Sequence, residues 1–163
     1  MATPSLLDPN FWRTVVLLIH GDEDGHVGLI LNRPTLAKVE DHLEAWSGTG
    51  EDAHVYFGGP VEPDMAVTLV EGEEGEATGL RSVSIGDSTG PPAGGVRARI
   101  YAGYAGWGSG QLDAEIAEGA WVVVEANPAD PFGEPDGMWH RVLQRQGGKL
   151  SLMATFPADA SLN

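Results

Sequence analysis

Val15 to Asn32 reads VVLLIHGDEDGHVGLILN, and the fold class turns on it. Two runs rich in valine, leucine and isoleucine flank an acidic stretch containing Asp24-Gly25, a pairing that favours tight turns. The stretch therefore predicts a β-hairpin. Hairpins join antiparallel neighbours, so the sheet cannot be wholly parallel. Because both runs are almost continuously apolar, both strands are expected inside the sheet and not at its edge.

Outward from the hairpin, helices and strands are interspersed. Asp8-Pro9 offers an N-cap followed by proline, so 9–14 is expected to make one short turn. After Arg33-Pro34, the spacing of Leu36, Val39, Leu43 and Trp46 predicts a helix over 36–47. Strands are predicted at 54–57 and 66–70 around Gly58-Gly59-Pro60, then an acidic loop (EGEEGEATG) and an alternating strand at 80–85. A proline and glycine loop spans 87–95, and a strand at 96–102 leads into YAGYAGWGSGQLDAEI, Tyr101 to Ile116. That segment reads as strand end, glycine loop over 103–110, and a helix capped by Ser109 and stopped at Gly119. A strand at 121–125, compatible with a right-handed crossover, a helix at 137–145 and a last strand at 150–156 complete the chain. With prominent hairpins and scattered helices, the class is α+β, and 163 residues suit one domain over 1–163.

Charge limits the partners. Twenty-four acidic residues against 9 basic ones give a formal net charge of −15, which repels nucleic-acid phosphates at long range. Direct nucleic-acid binding is disfavoured. No apolar run is long enough for a membrane helix and no secretory signal is visible, so a cytoplasmic protein is expected. With no cysteine, disulfides and thiolate chemistry are excluded.

The glycine loop fails the named nucleotide motifs. Gly103 to Gly108 has P-loop spacing, but Ser109 and Gly110 stand where lysine and serine or threonine are required. Gln111 and Asp113 stand where a dinucleotide fingerprint needs its third glycine, and Trp107 and Gln111 replace the glycines of a nucleophile elbow around Ser109. An anion at the helix amino end and a purely structural corner both remain open. His20 and His26 lack a third fixed ligand, and Arg33 occupies the twelfth position from Asp22, where a calcium loop needs glutamate. No metal or cofactor is therefore assigned. Asn32-Arg33 ends an apolar strand, so Arg33 either grips a carboxylate ligand or serves an internal acid. Arg141 and Arg145, one helical turn apart, have Glu134 and Asp136 as candidate partners.

Several stretches together resemble the AlgH/YqgE family: ATPSLLDPNFWRTVVLLI, HVGLILNRP, YFGGPV, GYAGWGSGQLDAEIAEGAW and LMATFPADASLN. The resemblance implies a bifurcated, mostly antiparallel mixed sheet curled into a pseudo-barrel with helices outside. It implies no established activity or cofactor, and a regulatory reputation attached to one branch by name. Members carry an apolar strand just before the Ala-x-Pro matching Ala2 to Pro4, where this sequence has Met1. A first edge strand upstream of Ala2 is thus left open.

The expected function is non-enzymatic action through a protein partner or small ligand, with indirect regulation as one form of it. The candidate cleft comprises Asn32, Arg33, Gly58, Gly59, Pro60, Tyr104, Gly106, Trp107, Ser109, Gln111 and Glu115. The alternative is an enzyme or sensor for a small anionic metabolite, with Arg33 and the helix amino end taking the charge and Glu115 or Asp113 accepting a proton.

Overall fold

The computed structural model describes residues 1–43, 46, 53–72, 80–84 and 91–157. Its centre is a 7-stranded mixed sheet. Strands β1 (Val16–Asp22) and β2 (Gly25–Ile30) form the expected hairpin, with Asp22 opposite Gly25 across the turn. The turn uses its own acid: Asp22 Oδ1 accepts from the backbone N–H of Asp24 at 2.9 Å and of Gly25 at 3.2 Å. Upstream, Asp8 caps the short turn as expected, its side chain accepting from Asn10 N–H at 2.8 Å.

The strand β7 (Ala98–Gly108) organises the rest. Its carboxyl half pairs antiparallel with β2, while its amino half pairs with β4 (His54–Phe57, parallel) and with β5 (Val61–Glu71, antiparallel). The sheet is therefore bifurcated around one shared strand. Strand β3 (Pro34–Lys38) pairs with β4, and β6 (Leu80–Ser84) with β5. The path runs β1-β2-β7-β4-β3 and stays open, so the curl implied by the resemblance does not close into a barrel.

Four helices accompany the sheet among the described residues: α1 (Val39–His42), α2 (Gln111–Ala117), α3 (Met138–Gln146) and α4 (Gly148–Met153). Helix α3 buries Met138, Trp139, Val142 and Leu143 against Leu29, Tyr101 and Leu69, which makes the main core. Trp107, Leu112 and Trp121 form a second cluster on the other side of the hairpin, and Val39, Trp46 and Ile100 a third.

Five expectations are corrected. Leu36 is 97% exposed because 34–38 is an edge strand held by its ladder to β4, and only Val39–His42 is helical there. The glycine loop over 103–110 is mostly strand, since β7 continues to Gly108 and the turn is confined to 109–110. The last strand is instead α4: Leu150 and Met153, three residues apart, pack on the core while Leu152 between them is exposed. Strand β1 lies at the end of the sheet path and not inside it. Finally, 121–125 forms no ladder; it makes a single antiparallel bridge, Trp121 to Ala2, in place of a crossover strand. Residues 73–79 of the acidic loop, the last residue of the strand expected at 80–85, and 87–90 of the proline and glycine loop lie outside the described residues.

Candidate functional site

The residues singled out in the sequence fall into two groups. Asn32, Arg33, Gly58, Gly59 and Tyr104 are neighbours: Phe57 N–H donates to Arg33 O at 2.8 Å, Ile30 N–H to Gly58 O at 2.9 Å, and Tyr104 pairs with Val61. Pro60 is exposed just beyond them. Trp107, Ser109, Gln111 and Glu115 gather at the opposite end of β7, beside the hairpin tip, where Ser109 Oγ donates to Glu23 O at 2.7 Å. Exposed Gly106 lies between the groups along the strand.

Each group carries structural duties. A Cβ on Gly58 would stand 2.2 Å from Gly103 O, and one on Gly59 2.1 Å from the Tyr104 carbonyl carbon, so two backbones cross here with no room for side chains. The Asn32 amide is engaged at both ends, accepting from Val15 N–H at 3.0 Å and donating to Arg13 O at 2.9 Å. Arg33 donates to the carbonyls of Trp12 and Asn32 and forms no ion pair with a described carboxylate. Burial pushes its pKa down. Arg13, which the sequence reading passed over, is buried at φ 53° with its guanidinium 4.7 Å from the Trp139 ring and 3.1 Å from His140 Nε2.

Ser109 does not cap α2; Gly110 holds that position with φ 70°, and Gln111 Oε1 accepts from Gly108 N–H at 3.1 Å. Glu115 is committed too. Its Oε2 accepts from the indoles of Trp121 at 2.7 Å and Trp107 at 3.0 Å, and its Oε1 from Gln111 at 2.9 Å. Partial burial raises its pKa, but these three hydrogen bonds outweigh that and hold the carboxyl below its usual range. Arg145 is met by Asp130 at 2.7 and 2.8 Å, while Arg141 donates to the carbonyls of Glu134 and Asp136 and not to their carboxylates.

The chain's first residues form a rung of their own. Ala2 is a one-residue rung between two segments, its N–H donating to Thr14 O at 3.0 Å while it bridges Trp121 on the other side. Met1 and Val122 exchange hydrogen bonds of 2.8 and 2.9 Å. Beyond Met1 the two flanking segments, β1 and 122–127, continue with a gap between them, and neither has a strand partner on that side among the described residues. Two cavities open there. One, of about 150 Å³, is lined by Val15, Leu17, Leu31, Val124, Pro131 and Val142 on the main-core face. The other, of about 90 Å³, is lined by Trp107, Leu112, Ile116, Trp121 and Val123 on the second-cluster face. Met1, Val16, Leu18 and Val124 border both. Leu18 is 46% and Val123 71% exposed, both apolar and both at this gap. In the sequence, VVLLI and WVVV are the strand-like runs on either side of it.

The sequence aligns with a family model described as AlgH-like over residues 1–151. The chain belongs to the AlgH-like family. A UPF0301 protein of Streptomyces coelicolor is 47% identical over 180 residues, covering 100% of this chain and 92% of the relative. One from Thermobifida fusca is 40% identical with the same two coverages, 100% and 92%. The solution structure of the AlgH protein from Pseudomonas aeruginosa superposes with TM-score 0.69 at 30% identity, covering 98% of this chain and 93% of that one. A crystal structure from Corynebacterium diphtheriae gives TM-score 0.82 at 27% identity, covering 96% and 89%. The AlgH-like family is one of uncharacterised function, so the chemistry of this member has to be argued from its own surface. No helix among the described residues is long and apolar enough to cross a membrane.

Proposed function

We propose that this AlgH-like protein acts without catalysis, as a binding protein that takes a small anionic ligand through Arg33. One observation carries the reading: in a chain with 24 acidic residues, Arg33 and neighbouring Arg13 are met by backbone carbonyls and an imidazole, and neither pairs with a described carboxylate. Burial pushes the pKa of both down, and an anion beside them offsets that cost. Glu115, expected as a proton acceptor, is occupied by two indoles and an amide, which supports a non-catalytic role.

A thermal-shift screen of phosphorylated metabolites tests the reading: stabilisation that is lost in Arg33→Ala supports it, and flat curves across the screen overturn it.

A further inference from the structure

Resting on the Arg33 reading, we infer that His140 is a further member of the same anion site, and that it joins by taking up a proton as the ligand, an oxyanion, enters. Its Nε2 lies 3.1 Å from Arg13 Nη1. Arginine stays charged and donates, so the imidazole that accepts from it is neutral. The peptide between Trp12 and Arg13 ties the two arginines together. Arg33 donates to the Trp12 carbonyl, and Asn32 Nδ2 donates to the Arg13 carbonyl at 2.9 Å. The indoles of Trp139 and Trp12 stand 4.7 and 5.3 Å from the Arg13 guanidinium, so a ligand meets its N–H edge, the edge His140 also meets. Arginine carries more N–H groups than those spent on His140 and the Phe156 carbonyl, and donors therefore remain there. Because Arg13 is buried, an anion on it sheds water and the charges around it decide its affinity.

The two forms of the ring act on an oxyanion with opposite signs. An unprotonated Nε2 turns a lone pair toward it, whereas a protonated Nε2 offers an N–H and a positive charge. In the empty site the proton is disfavoured: burial first, and then the Arg13 charge, hold His140 below its ordinary 6.5. An oxyanion that accepts from both groups removes the second cause. The other charged groups on the elements around the ring do not supply that counter-charge. On α3, Arg141 turns to the carbonyls of Glu134 and Asp136, and Arg145 to the Asp130 carboxylate. The segment before β1 adds exposed Asp8, which caps its own turn, and α4 adds exposed Lys149. Among the described residues no carboxylate pairs with His140. By reciprocity, a proton on His140 tightens the anion by the same factor as the anion tightens the proton.

The probe is sulfate, whose own charge does not change between about pH 5.5 and about pH 8, the range in which histidine titrates. Calorimetric titration is expected to give about tenfold tighter binding at the acid end, matched by a rise of about one pH unit in the midpoint of the His140 ring titration, followed by NMR, when sulfate saturates the site. His140→Gln still offers Arg13 an acceptor but takes no proton, so it should keep the alkaline affinity and show only the slope that the remaining histidines impose. His140→Arg carries its charge throughout and should bind sulfate at about pH 8 as tightly as the native protein does at about pH 5.5. A native slope no steeper than that of His140→Gln, or a ring titration that sulfate leaves in place, overturns the part given to His140 and leaves the Arg33 site standing. Absence of sulfate binding at both ends of the range, or binding unchanged in Arg33→Ala, overturns the Arg33 site itself and this inference with it.

Discussion

Glu115 shows how a residue that reads as chemistry in the sequence becomes architecture in the fold. Its carboxylate fastens Trp107 of β7 and Trp121 of the segment after α2, whose rings meet edge to face at 5.6 Å. Glu115→Ala leaves two indole N–H groups without that acceptor. Hydrogen bonds to a charged group contribute about 1.5–3 kcal/mol, so the variant should unfold about 2 kcal/mol more easily by urea titration with altered tryptophan emission. The pH dependence has a definite sign. Since the folded pKa is depressed below the ordinary 4.5, the contribution is present above that value and lost as pH falls through the folded value. Glu115→Gln should therefore flatten the acid limb of the stability curve below pH 4.5, and an unchanged limb would show that other acids control it. The glycines divide on the same principle. Gly59→Ala should fail to give a cooperative thermal transition, because its Cβ would meet backbone at 2.1 Å with φ at +155°. Gly110→Ala has nothing within 4 Å and only its φ of +70° to bear, so a cost of about 1 kcal/mol is expected. From sequence these glycines looked alike, because the backbone that crosses Gly103–Ala105 comes from residues more than forty positions away.

Elements were legible where a local period had one interpretation. The β1–β2 hairpin and α3 are found where residue type and turn chemistry put them. Leu150 to Phe156 had two interpretations: LSLMATF alternates like a strand, yet Leu150 and Met153 are also one helical turn apart. The docking of α4 onto α3 and the core decides between them, and that contact is invisible in the segment itself. Substitution can check the choice. Leu152→Lys should change stability by less than about 0.5 kcal/mol, as at an ordinary surface site, while Met153→Lys should cost about 1–3 kcal/mol by burying a charge. A strand would give a different pattern, with Leu150, Leu152 and Ala154 sensitive together. Of the two arginines only Arg33 was legible, as a cation ending an apolar strand. Arg13 stands out through its burial beside Trp139 and His140, partners from the far end of the chain that its own segment does not reveal.

At the scale of the whole molecule, the −15 charge acts on the fold. Self-repulsion among 24 acids works against the compact state, and raising sodium chloride from about 0.01 M to about 1 M shortens the screening length from about 30 Å to about 3 Å. Two exposed ion pairs, Glu71 with Arg97 and Asp130 with Arg145, lose attraction over the same range, but exposed pairs contribute little. The repulsion should dominate, and Tm should rise by roughly 3 °C or more across that salt range. If Tm instead fell with salt, the native surface would be held by its ion pairs and not strained by its acids.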